Sequence, residues 1–332
     1  MPDVTYREAI SAALREEMDL DPDVYLIGED IGLGGGAFGV TKGFLECYGP
    51  MRVVDAPLSE SGFVGLAIGS AQMGLRPVVE MQFADFITET FKMLVNYAGG
   101  ANYRQVGPVP LVVRLPAGAL KCAGPFHSCN PEAWFYHTPG LKVVAPATPY
   151  DAKGLLKAAV RDDNPVLYLE YKKLYNLPPN QYPASLRMEV PEEAYTVPMG
   201  KARLVREGKD VTLITHGTMV LDSVRAAEEV ERDGIDVEVV DLRSILPFDR
   251  ETFIGSVKKT GRAVIVHEDH KTGGVGAEWS ALLVEEAFES LDAPVRRVAA
   301  LDTPVPYSPP LEENFLPNAE KIAEALREVT AF

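Results

Sequence analysis

The sequence predicts an α/β protein made of two successive units, each a mainly parallel sheet covered by helices. Three observations predict it. Strand-length apolar runs alternate with helical stretches, the pattern of strands buried on both faces. The chain has 332 residues, too many for one typical core, because domains run to roughly 100–200 residues. A proline-rich break then divides the alternation in two.

The first helix opens at a capping box formed by Thr5 and Glu8, and Ala9, Ile10, Ala13 and Leu14 follow at helical spacing. Residues 24–27 read as a strand and lead into Gly28-Glu29-Asp30 and the loop Gly34-Gly35-Gly36. That loop lacks the ending of a P-loop and the spacing of a dinucleotide site, so it reads as a tightly turned or mobile loop. Further strands are expected at 53–54, 78–83, 111–115, 142–145 and 166–171, with helices at 63–73, 87–98 and 150–160. Pro178, Pro179, Pro183, Pro191 and Pro198 break regular structure, so 176–199 reads as an extended linker between units at 1–175 and 200–332. In the second unit, strands are expected at 211–215, 237–242, 263–266 and 295–301, and helices at 220–232 and 276–291.

Composition narrows the function. A net charge of −16 argues against binding nucleic acid by phosphate neutralisation. No apolar run is long enough to span a bilayer, and the N-terminus has neither a signal-peptide nor a transit-peptide pattern, so a cytoplasmic location is expected. Cys47, Cys122 and Cys129 are too few for a disulfide framework. Cys122, His127 and Cys129 lack a fourth metal ligand at recognisable spacing. The run His267-Glu268-Asp269-His270 is not HExxH, because its histidines stand three apart, and it reads as a strand end and loop.

Four segments could carry chemistry. In Pro57-Leu58-Ser59-Glu60-Ser61-Gly62, Ser59 or Ser61 can cap a helix, and Glu60 stands at its lip. Gly62, Gly65 and Gly69 fall on one face, which suggests the close approach of another backbone or a ligand. By itself Glu60 reads as a carboxylate favoured by the helix dipole, and alternatively as a carboxyl able to bond a heteroaromatic nitrogen. Gln82, at the end of the strand expected at 78–83, and Phe86, in the turn beyond it, offer an amide and a ring face. His127 lies in a loop and can move protons near neutral pH. Asp162 and Asn164, in Arg161-Asp162-Asp163-Asn164-Pro165, end a helix whose free carbonyls could hold a hard cation or make a plain Asx turn.

Taken in order, PLSE at 57–60, EMQFADF at 80–86, HS at 127–128, GLKVVAP at 140–146, DAKGLLKAA at 151–159 and RDDNP at 161–165 are distinctive. With HGT at 216–218, DLRSILPFD at 241–249, KTGR at 259–262 and DTPVPYSP at 302–309, they span essentially the whole chain. The combination resembles the β subunit of the thiamine diphosphate-dependent decarboxylating component of 2-oxo acid dehydrogenase complexes. The resemblance implies a pyrimidine-binding α/β domain followed by a transketolase C-terminal-type α/β domain. It implies an α2β2 assembly with active sites between α and β, and a lipoyl acyltransferase core as further partner. The α subunit of that family holds Mg2+ and the diphosphate through a GDG…NN motif, and no GDG occurs here.

By the same resemblance, Glu60 matches the glutamate that bonds the aminopyrimidine nitrogen of thiamine diphosphate. Leu58, Gln82 and Phe86 match the pyrimidine pocket, and His127 the histidine where lipoamide enters. Leu111, Ala159, Val160, Asp162 and Asn164 match a potassium site built largely of backbone carbonyls. Glu29 and Glu89 match acidic positions in a tunnel between active sites. The expected activity is decarboxylation of a 2-oxo acid, pyruvate or branched-chain, with acyl transfer to lipoamide. Acetoin cleavage, a split transketolase-like enzyme and a noncatalytic docking subunit are the alternatives.

Overall fold

The apolar runs pair as the parallel ladders their burial on both faces requires. The computed structural model describes residues 4–120 and 122–332. Its strands are β1 (Val24–Gly28), β2 (Val53–Asp55), β3 (Arg76–Glu80), β4 (Val112–Ala117), β5 (Lys142–Val144) and β6 (Val166–Tyr171), then β7 (Arg203–Arg206), β8 (Val211–Thr215), β9 (Val237–Asp241), β10 (Ser244–Leu246), β11 (Ala263–His270) and β12 (Arg296–Ala300). One sheet has the order β10-β5-β6-β4-β3-β1-β2 and the other β12-β11-β8-β9-β7. Pairing is parallel except at β10 and β7, two edge strands that run antiparallel to their neighbours.

The helix Tyr6–Leu20 begins at the expected capping box. It packs on the helix Pro149–Val160, where buried Lys153 and Lys157 both meet Glu16. Under the first sheet's carboxyl ends lies a buried ionic set. Arg114 bonds Glu170 through two nitrogens at 2.6 and 2.7 Å and also pairs with Glu80. The Tyr175 hydroxyl donates to Glu170 at 2.6 Å. Each charge is paired, as burial demands.

In the extended stretch 176–199, Tyr182, Leu186, Val190 and Val197 are buried, so their apolar surface straps it to the body of the protein. Two expectations change. Residues 87–98 do not form a plain α-helix but a 3-10 helix, Ala84–Thr90, followed by a π-helix, Met93–Ala98. The strand expected at 78–83 ends at Glu80, which leaves Gln82 and Phe83 free to turn over the sheet edge. Strand β10 was not anticipated. It comes from the second half of the chain yet completes the first sheet against β5, and Arg243 beside it bonds Asp151 at 2.9 Å.

Candidate active site at the carboxyl ends of the first sheet

The chain leaves β1 toward β2 on one side and returns to β3 on the other. Strand order therefore reverses between β1 and β3, and such switch points open a crevice beyond the strands' carboxyl ends. Glu29 directly follows β1, and Gln82 comes two residues after β3. The strands approach closely here: a Cβ on Gly28 would lie 2.7 Å from the Glu80 carbonyl. The loop Gly34-Gly35-Gly36 is tightly turned. Gly36 has φ +76°, and a Cβ there would meet the Glu80 carboxylate at 2.2 Å, so glycine alone lets the loop lie over the ionic set.

Around this switch point the expected acidic residues gather. Glu29 is 4% exposed, and neither of its carboxylate oxygens has a hydrogen-bond partner. Burial first, then the charges of Glu60 and Asp30, push its pKa up to about 7. Glu60 is the first residue of the helix Glu60–Gln72, where the helix dipole favours a carboxylate. Ser59 caps that helix without a side-chain bond. The Ser61 hydroxyl instead donates to the Glu89 carbonyl, and this contact brings exposed Glu89 alongside the same helix end. Leu58, just before it, is 82% exposed. Gln82 Nε2 donates to Asp30 at 3.3 Å.

Phe86 and His127 also come together. The His127 ring stands edge-on to Phe83 with centroids 4.5 Å apart and to Phe86 at 5.8 Å. Asp85 accepts from the N–H groups of Ser128 and Cys129 at 3.2 Å, which ties the His127 loop to the segment that carries Gln82 and Phe86. From the second sheet, Glu268 accepts from Ala119 N–H at 2.7 Å and from the Thr218 hydroxyl at 2.6 Å. Sequence reasoning missed Asp30, Phe83 and Asp85. Asp85 sits in the same short segment as Gln82, but its role depends on a loop some forty residues away.

The five residues matched to potassium cluster at the end of the helix Pro149–Val160. The Val160 and Asp162 carbonyls accept from Arg76 Nη1 at 3.0 and 3.2 Å. The Leu111 carbonyl accepts from Val166 N–H at 2.8 Å and that of Ala159 from Asp162 N–H at 3.2 Å. The Asp162 carboxylate pairs with Lys142 and takes the Asn164 N–H at 2.9 Å. The set is oxygen-rich, but Ala159 also accepts from Arg161 N–H, and Arg76 already supplies a cation to two of its members. Elsewhere, His267 is fully buried, and burial lowers its pKa to about 4. Among the described residues no group of three or more His, Cys, Asp or Glu is placed to hold a metal ion, and no helix is long and apolar enough to cross a membrane.

Comparison with known proteins identifies the two domains and the family. The transketolase pyrimidine-binding domain family matches residues 2–178 and the transketolase C-terminal domain family residues 200–322. The chain is 44% identical over 332 residues to the 2-oxoisovalerate dehydrogenase subunit beta of Bacillus subtilis, covering 99% of each. It is 45% identical over 334 residues to the pyruvate dehydrogenase E1 component subunit beta of Staphylococcus epidermidis, covering 100% of each. It is 45% identical over 327 residues to the mitochondrial pyruvate dehydrogenase E1 component subunit beta-2 of Oryza sativa, covering 98% of this chain and 86% of that one. A solved split-gene transketolase, an inactive β4 tetramer, superimposes with a TM-score of 0.79 at 24% identity, over 99% of this chain and 98% of that one; at that identity it speaks for the fold alone. The chain therefore belongs to the family of β subunits of the decarboxylating component of 2-oxo acid dehydrogenases, thiamine diphosphate enzymes built from a transketolase-type pyrimidine-binding and C-terminal domain.

Proposed function

We propose that this chain, joined to an α subunit, decarboxylates a 2-oxo acid and passes the acyl group to lipoamide, with Glu60, Gln82, Phe86 and His127 as its working residues. The observation that carries the reading is the gathering of carboxyl groups at the β1/β3 switch point. There a buried, unpartnered Glu29 lies within charge range of Glu60 at the start of a glycine-faced helix. Full-length identity of 44–45% to pyruvate and 2-oxoisovalerate subunits leaves both substrate classes open. It favours them over the split-transketolase alternative.

Thiamine diphosphate, when bound, supplies the electron sink for decarboxylation. The residues here fit its pyrimidine half: a carboxyl, an amide and aromatic rings near one switch point. Glu60 bonds a ring nitrogen and so holds a proton where the aminopyrimidine needs it. Gln82 and Phe86, with Leu58 at the lip, orient the ring. His127 supplies a proton to the lipoyl sulfur as the disulfide opens. Glu29 and Glu89 extend the acidic path away from Glu60.

The diphosphate and Mg2+ belong to the α subunit in this reading, since the chain has no GDG. The helix Glu60–Gln72 leaves room for that partner. A Cβ built on Gly65 or Gly69 meets nothing within 4 Å, and Leu66 and Met73 are 59% and 85% exposed. An α2β2 assembly docked to a lipoyl acyltransferase core completes the enzyme. The carbonyls of Leu111, Ala159, Val160 and Asp162, near Asn164, would hold a potassium ion, with those of Val160 and Asp162 shared with Arg76.

Glu60 is tested in the assembled complex. Glu60→Gln is expected to lower kcat by at least about 100-fold while the assembly stays intact by gel filtration. Full activity in that variant would remove Glu60 from the chemistry and favour a docking role.

A further inference from the structure

We infer that Lys172 is a positioning residue for His127, holding the histidine loop from beneath; the inference rests on the acyl-transfer role proposed for His127. Lys172 is the first residue after β6 and only 3% exposed. Its ammonium donates to the His127 backbone carbonyl. The same nitrogen lies 5.2 Å from the centroid of the Phe83 ring, whose edge-on partner is the His127 imidazole at 4.5 Å. One buried cation therefore fixes both ends of the residue: the backbone by a charge-assisted hydrogen bond, the ring through the aromatic face it sits on.

The groups around this ammonium make the arrangement directional. Asp85, Glu268, Cys129 and Glu312 face it. Asp85 holds the N–H groups of Ser128 and Cys129, Glu268 that of Ala119 and Glu312 that of Cys122 at 3.0 Å. These carboxylates take the loop's donors, while Lys172 supplies a donor to the loop's acceptor. Asp85 lies in the first half of the chain, whereas Glu268 and Glu312 come from the second. Lys172 sits where the two sets meet.

Methionine at 172 would keep the apolar stem and leave the part-buried His127 carbonyl without its charged donor. Decarboxylation depends on Glu60 and precedes transfer, so it is spared; transfer to the lipoyl group depends on where the imidazole stands. The experiment uses the assembled α/β enzyme. It compares decarboxylation linked to an artificial electron acceptor with acyl transfer to a lipoyl domain, and follows hydrogen exchange of the amides of residues 124–129. Lys172→Met is expected to slow acyl transfer by roughly tenfold and to speed exchange at Ser128 and Cys129 by a similar factor. Acceptor-linked decarboxylation stays within about twofold, and Lys172→Arg recovers most of the transfer. Lys172→Gln is read the same way if Lys172→Met fails to assemble.

Unchanged transfer and exchange in Lys172→Met overturn the inference. So does an equal fall in decarboxylation and transfer with exchange unaltered. His127→Ala separates the two layers of the argument. Normal acyl transfer in that variant refutes the role given to His127. Lost transfer there, beside an unaffected Lys172→Met, refutes only the positioning by Lys172.

Discussion

Two carboxyl groups near the switch point differ in kind. Glu60 is partly exposed at a helix start, whereas Glu29 is buried without a partner. A carboxyl whose pKa rises to about 7 binds a proton in the folded chain that the unfolded chain has already released above about 4.5. The folded state therefore loses stability as pH rises from about 4.5 to 7, and the penalty is complete above that window. Glu29→Gln should accordingly raise the melting temperature of the chain at pH 8 by roughly 2–4 °C and change it little at pH 4. A calorimetric scan at both pH values checks this, and a larger gain at pH 4 would refute it. Sequence could name Glu60, Gln82, Phe86 and His127 because each lies in a contiguous motif. It could not name Asp30, Phe83, Asp85 or Lys172, whose partners come from other strands and loops.

At the scale of elements, the glycine face of the helix Glu60–Gln72 carries the clearest prediction. Glycine inside a helix costs roughly 1 kcal/mol relative to alanine, and nothing in this chain lies within 4 Å of a Cβ on Gly65. Gly65→Ala should therefore stabilise the isolated chain by up to about 1 kcal/mol, read from urea unfolding. Gly65→Leu should leave the isolated chain folded but weaken its pull-down of the α subunit, if the proposed partner closes on this glycine face. An undiminished pull-down would show that α binds elsewhere. The cation reading is also testable here: KCl in place of choline chloride at equal ionic strength should raise the melting temperature, and identical curves would leave Arg76 as the cation at these carbonyls. The main strands and the first helix were legible from periodicity, since each buries its own face. The strap at 176–199 and strand β10 were not: prolines say only that regular structure stops, and a three-residue edge strand is defined by its partner β5.

Over the whole molecule, the two sheets are not independent beads. β10 extends the first sheet, Arg243 bonds Asp151, and Glu268 reaches the Ala119 amide beside the histidine loop. The second half thus helps hold His127, while Glu60, Gln82 and Phe86 stand on the first. In the proposed reading these residues supply the pyrimidine-side half of an active site, and no GDG motif for the other half occurs in the sequence. Reconstitution tests that division most directly. The chain is co-expressed with its α partner, and decarboxylation of pyruvate, 2-oxoisovalerate and acetoin is measured with thiamine diphosphate and Mg2+. Turnover of pyruvate or 2-oxoisovalerate by the complex, with neither subunit active alone, is the predicted result. No turnover of either 2-oxo acid by an intact complex would contradict it.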